Sequence, residues 1–239
     1  MDASLIAALG LGFLLGLRHA MEADHVAAMS TFVSQERTLL RSCLRGTFWG
    51  IGHTAALLAA GVAVIAFKVQ ISPGFERAVE TCIAIVLTLL GGHVLVRTLG
   101  TLSLHSHEHV HEGVVHRHTH VHLRRDAGHH HDGEAHGSHD HVHLFQGARR
   151  PLLLGLLHGL GGGGALVLIV LTTLPSPAAA FLYLLVFGLG STAGMLVLSG
   201  LMGLPFALLA GGAARAATAL QIVVGAVSMA IGLGMLISA

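Results

Sequence analysis

Six apolar runs, each long enough to cross a bilayer as a helix, leave this chain few architectures. A hydrocarbon core of roughly 30 Å needs about 20 helical residues, and runs of that kind fall near residues 4–29, 46–67, 79–103, 151–173, 178–204 and 213–238. Inside lipid every backbone N–H and C=O must find a partner within the protein, so separate spans of this length are helices. Composition agrees: 10% of the 239 residues are charged, against roughly 25% in soluble domains, and mean hydropathy is +0.75. The expected fold is an all-α membrane protein of six transmembrane helices in one polytopic bundle. The N-terminus lacks a basic n-region and a cleavage site, so the first helix is expected to be kept as a span.

The breaks between runs carry the turn chemistry. Arg37, Arg41 and Arg45 separate the first two runs, Pro73-Gly74 the next pair, Pro175-Ser-Pro177 the fourth and fifth, and Gly211-Gly-Ala-Ala-Arg215 the last. One long polar stretch interrupts the series, which divides the chain into residues 1–103, a histidine-rich loop over 104–147, and residues 148–239. Lys and Arg favour the cytoplasmic side. With the first helix entering from outside, one side collects Arg37, Arg41, Arg45, Arg97, Arg117, Arg124, Arg125, Arg149, Arg150 and Arg215, and the other only Lys68 and Arg77. The expectation is a cell-membrane protein with both termini outside and the histidine-rich loop in the cytoplasm.

The two halves resemble each other. Gly16-Leu-Arg-His19 returns as Gly155-Leu-Leu-His158, and Gly50-Ile-Gly-His-Thr-Ala55 returns as Gly188-Leu-Gly-Ser-Thr-Ala193, at offsets of 139 and 138 residues. Three spans per half is an odd number, so the halves are expected to be inverted three-helix repeats. That is a transporter architecture, with substrate held near the midplane where corresponding helices meet. Short glycine-rich motifs also recur by chance in polytopic chains, but here two recur in order.

The first run contains Arg18-His-Ala-Met-Glu-Ala-Asp-His25, which places two imidazoles and two carboxylates in an apolar span. Such groups lose hydration that hydrogen bonds, counter-charges or a cation must replace, and they mark a functional site by default. On a regular helix His19, Glu22 and His25 fall within an arc of about 120°, with Asp24 on another side. Either Asp24 accepts a hydrogen bond from a ligating histidine or the helix unwinds here. The competing view is a hydrogen-bonded cluster without a metal. His53 follows Gly50-Ile-Gly52 in the second run, and His158 precedes Leu160-Gly-Gly-Gly-Gly164 in the fourth. Both are candidate ligands and equally candidates for helix packing; His93, beside Gly91-Gly92, has no counterpart in the other half and reads as a packing or pathway residue. Neutral imidazole with carboxylate suits divalent nickel, cobalt or zinc better than copper(I) or magnesium. Metal-binding imidazole must be deprotonated, so acid is expected to weaken binding.

Fifteen of the 20 histidines lie between His105 and His143. That density cannot bury a core, and the loop reads as a disordered, low-affinity metal collector. Cys43 and Cys82 lack metal-like or disulfide-like spacing and receive no role.

The octapeptide Arg18-His19-Ala20-Met21-Glu22-Ala23-Asp24-His25 resembles the signature of the nickel/cobalt transporter family, Arg-His-Ala-x-Asp-Ala-Asp-His. Gly52-His53-Thr54 resembles that family's Gly-His-Ser/Thr run in the next helix, and Leu157-His158-Gly159 is a looser continuation. Glu22 stands where the family has Asp, and six spans match its shorter branches, which include both permeases and histidine-rich efflux proteins. The resemblance implies a secondary transporter for nickel or cobalt, with zinc as a further candidate ion, and a metal site of His19, Glu22, Asp24, His25, His53 and His158. The metal is then a transported substrate, and no cofactor is expected. Uptake is slightly favoured over efflux; a membrane-anchored metal store is a third reading. An intramembrane metalloenzyme fits worse, because His19 and His25 are not at the spacing of a His-Glu-x-x-His site. No phosphate-binding Gly-x-x-x-x-Gly-Lys-Ser/Thr run occurs, so gradients or a partner must supply the drive. Partners are the metal ion, membrane lipids and, as a candidate, a cytoplasmic metallochaperone. Nucleic acid is not expected, and the oligomeric state is left open.

Overall fold

The computed structural model describes residues 3–67, 72–100, 102–111, 114–123, 147–161, 174 and 176–238. Their helices are α1 (Ala3–His19), α2 (Ala23–Val33), α3 (Leu39–Phe67), α4 (Pro73–Leu99), α5 (Arg149–Gly159), α6 (Pro177–Leu209) and α7 (Ala214–Ser238). α3, α4, α6 and α7 are each long and apolar enough to cross a membrane, and α1 with α2 makes one further span bent by 57°. The result is a multi-pass helical membrane protein with four such spans, or five with the bent pair. The fourth apolar run begins as α5, but residues 162–173 lie outside the described residues, as do three of the four glycines after Leu160.

Helix starts follow the local sequence. Ser72 accepts a hydrogen bond from the Phe75 amide at 3.2 Å and Pro73 opens α4; Ser176 and Pro177 do the same for α6, with the Ala179 amide at 3.2 Å. Each serine satisfies an otherwise orphaned amide, and proline has no amide to satisfy there.

Packing is set by small residues. Lipid tails are as apolar as leucine, so helices associate in a membrane through close van der Waals fit and interhelical hydrogen bonds. At the centre α3 crosses α6, where Thr54 Oγ1 donates to the Gly188 carbonyl at 2.9 Å and lies 2.9 Å from Thr192 Oγ1. On the flank α4 packs against α7, and Ser228 Oγ donates to the Leu87 carbonyl at 3.3 Å. The outer half-helices are exchanged: α1 lies on α6, and α5 lies on α3.

The glycine contacts recur in matched pairs. Gly16 faces the Phe187 carbonyl and the Ser191 amide, while Gly155 faces the Trp49 carbonyl and the His53 amide. Gly52 lies against Leu152 and Gly190 against Phe13; Gly46 lies against Ser199 and Gly61 against Leu184. Each member of a pair is reached from the other by the offset of 138 residues that relates Thr54 to Thr192, or one residue more.

The connection after α2 is tied to three other helices. Gln221 Nε2 of α7 donates to the Ser34 carbonyl at 2.8 Å, Arg97 Nη1 of α4 donates to Gln35 Oε1 at 2.9 Å, and Arg45 of α3 pairs with buried Glu36.

Two short segments of the histidine-rich stretch are described. Leu102–His111 (β1) pairs antiparallel with Val114–Leu123 (β2), and His105, His107 and His109 stand opposite His120, His118 and His116 in the register. The physical reason is visible in the sequence: histidine at alternate positions is a period of two, which is the strand period. Residues 124–146 lie outside the described residues.

Candidate metal centre

The break between α1 and α2 is where the first run stops behaving as one helix. The amides of Met21 and Glu22 turn back to the carbonyls of Arg18 and His19 at 2.9 and 3.1 Å, a tightened last turn. Glu22 then takes extended backbone angles, φ −63° and ψ 150°, and its carbonyl accepts the Val26 amide at 2.9 Å as α2 begins. His19 therefore ends one helix while Asp24 and His25 open another. The regular-helix arc anticipated for His19, Glu22 and His25 does not form. Both readings of Asp24 hold together: the helix unwinds, and Asp24 Oδ1 lies 3.1 Å from His25 Nδ1.

Four imidazoles converge at this break. His19 and His25 have ring centroids 4.7 Å apart, His19 and His53 5.0 Å, His25 and His53 5.3 Å, and His25 and His158 5.0 Å. They come from α1, α2, α3 and α5 and are 5%, 3%, 0% and 2% exposed in the order His19, His25, His53 and His158. His19, His25 and His53 each offer a ligand atom within 4.8 Å of the others, and so do Glu22, Asp24 and His25. His19 Nε2 lies 3.2 Å from His53 Nε2, while its Nδ1 lies 3.1 Å from Glu22 Oε1. His158 Nε2 lies 3.6 Å from Asp24 Oδ2, too far for a hydrogen bond.

The unsatisfied atoms are informative. His25 Nε2, His53 Nδ1 and both ring nitrogens of His158 are buried without a hydrogen-bond partner among the described residues. A buried polar atom left unpaired is expensive, which makes these nitrogens candidate donors to a cation. Asp24 fixes His25 through Nδ1, so that Nε2 is the nitrogen His25 has free. This is the carboxylate–histidine arrangement that orients metal ligands. Nitrogen donors with one or two carboxylates form a mixed N,O set suited to a first-row divalent ion.

All six residues singled out in the sequence thus lie at or beside one cluster, with Glu22 the most exposed at 46% and Asp24 at 21%. His93 is not among them; it is exposed on α4. Met29 is a buried packing residue and Met21 is exposed. Sequence reasoning missed the aromatic walls. Trp49 packs on His158 and Phe187 on His19, with centroids 5.0 and 5.6 Å apart. The available signal was position: Trp49 and Phe187 each precede the glycine that opens a recurring motif, Gly50 and Gly188.

The comparisons with known proteins point the same way. The family model described as "NicO: High-affinity nickel-transport protein" matches residues 5–239. The chain is 36% identical over 206 residues to the urease accessory protein UreH of Bacillus sp. (strain TB-90), a match covering 85% of this chain and 79% of that protein. No solved structure matches.

Proposed function

Because the chain belongs to the NicO family of high-affinity nickel-transport proteins, we propose that it moves Ni2+ across the cell membrane by alternating access around the histidine cluster. It is a transporter and not an enzyme. The metal-binding residues are His19, Glu22, Asp24, His25, His53 and His158, with Asp24 acting chiefly through His25. The observation that carries this reading is the convergence of four buried imidazoles from four helices, several of them with free ring nitrogens. Cobalt shares the ligand preferences of nickel and is the second substrate; zinc is a third.

The matched contacts support two inverted three-helix repeats, residues 1–103 and 148–239, and hence six spans with both termini outside. Inversion accounts for the exchanged packing, since each half-helix then meets the first long helix of the opposite half in the same way. Alternating access follows when one repeat rocks against the other about the Thr54–Thr192 contact.

Uptake is the direction favoured, on the close match of Arg18–His25 to the permease signature. Efflux is the second reading, favoured by the cytoplasmic histidine-rich segment, which could gather ions before export and could also receive them from a metallochaperone. Nickel content of cells expressing the chain separates the two: accumulation above controls supports uptake, and depletion overturns it. The site itself is tested in sealed liposomes holding the purified protein. His19→Ala should abolish nickel flux, and unaltered flux would remove His19 from the site. Deleting residues 105–143 should leave flux at saturating nickel intact, an outcome with which the metal-store reading fails.

A further inference from the structure

Ser191 is unlike the other hydroxyls buried in the helices. Buried Ser30, Thr31, Ser34, Ser42 and Ser199 each donate to a carbonyl three or four residues back, the usual way a helical hydroxyl is satisfied away from water, and Ser228 donates to the Leu87 carbonyl of α4. Ser191 is 0% exposed, and its Oγ has no hydrogen-bond partner among the described residues. The two carbonyls within its reach are in contact with other helices. Gly188, three residues back, accepts from Thr54 of α3, and the Phe187 carbonyl, four back, is packed against Gly16 of α1 and takes no bond from Ser191 Oγ.

Its position points to the metal centre. Ser191 is one turn beyond Phe187 on α6, on the same helix face, and the Phe187 ring packs on His19. The Ser191 amide lies beside Gly16 as the His53 amide lies beside Gly155, so Ser191 holds in the second half of the chain the place that His53 holds in the first. His53 meets His19 there; the matching partner of Ser191 is His158, whose ring nitrogens are both unpaired. A serine is too short to repeat the contact between two imidazoles.

Resting on the nickel site described above, we infer that Ser191 Oγ is an oxygen contact for the transported ion, accepting a hydrogen bond from a water that the ion carries on its His158 side. Water bound to a divalent cation is a strong donor, because the metal acidifies it, and a neutral hydroxyl in a dry pocket accepts that bond without adding a charge. The second half of the chain then contributes an imidazole and a hydroxyl where the first contributes imidazoles and carboxylates.

The test is Ser191→Ala in the full-length detergent-solubilised protein, read by nickel titration calorimetry and by the thermal midpoint without metal. The nickel Kd should rise about tenfold, the scale of a lost hydrogen bond to a charged group. The midpoint should stay the same or rise, because alanine removes a hydroxyl that the metal-free protein leaves unpaired. An unchanged nickel Kd would overturn the inference. So would a lowered midpoint, which would mean that the hydroxyl is holding the helices together. His19→Ala, run alongside, keeps the two levels apart: if it also leaves the nickel Kd unchanged, the histidine site fails, whereas loss of binding in that variant with an unchanged Ser191→Ala leaves the site standing without Ser191.

Discussion

Replacing Gly155 with alanine should weaken nickel binding without touching any proposed metal-binding residue. A Cβ at this position would lie 2.9 Å from the Trp49 carbonyl carbon and 3.0 Å from the His53 amide nitrogen, and closer still to the Trp49 oxygen. These are backbone atoms inside α3 and cannot swing aside. Ordinary contacts between non-bonded heavy atoms are about 3.5–4.0 Å, so the contact with the Trp49 oxygen forces α5 away from α3 by about 1 Å or more. His158 sits one turn along α5, with Nε2 3.6 Å from Asp24 Oδ2. Metal–ligand distances tolerate only about 0.2 Å of error, so the displacement removes His158 from effective reach. The nickel Kd should rise roughly 10- to 100-fold, as when a group supporting a metal ligand is lost. Overpacking should also lower stability by about 1–3 kcal/mol. Titration calorimetry in detergent reads the first effect and thermal unfolding the second. Gly10→Ala is the control, since a Cβ there has nothing within 4 Å. If Gly155→Ala binds nickel as tightly as the parent at an equal thermal midpoint, the link between α3–α5 packing and the site is wrong.

Two further outcomes follow from contacts around the break. Asp24→Asn removes the charge that holds His25 Nδ1 at 3.1 Å, and nickel affinity measured by calorimetry should fall roughly 10- to 100-fold; unchanged affinity would show that Asp24 does not set the orientation of His25. Glu36→Ala strands Arg45, which is 28% exposed, opposite a lost carboxylate, and the thermal midpoint should drop by the equivalent of about 1–3 kcal/mol with nickel Kd unchanged; an unaltered midpoint would mean that the tether after α2 is not needed for the fold.

Much of the site is legible in the amino-acid sequence, because burying Arg18–His25 in an apolar run demands an explanation whatever the packing. The spans are legible for a similar reason, since length and hydropathy follow directly from the bilayer. What local pattern cannot supply is the course of the chain at Ala20–Glu22. A helical period places His19, Glu22 and His25 on one arc, and only the packing of α1 on α6 and of α2 against α7 makes the bend the better solution. The aromatic walls stay hidden because Trp49 and Phe187 look like ordinary span residues until their neighbours are known. The histidine-rich stretch carries two signals at once. Its composition argues against a core, while the alternation at His105–His111 and His116–His122 is already a strand pattern and needs only a partner strand, which the same stretch provides.

The exchange of half-helices bears on how the protein is made. α1 is synthesised early, yet its packing surface is α6, which enters the membrane more than 150 residues later. Until then the glycine face around Gly16 has no seat and His19 lacks its Phe187 wall, and α3 waits for α5 in the same way. Insertion and assembly must therefore be separate events, with the first helices held loosely in the bilayer while the remainder is translated. A chain truncated after α4 would contain most of the signature residues and still be unable to close the pocket around them.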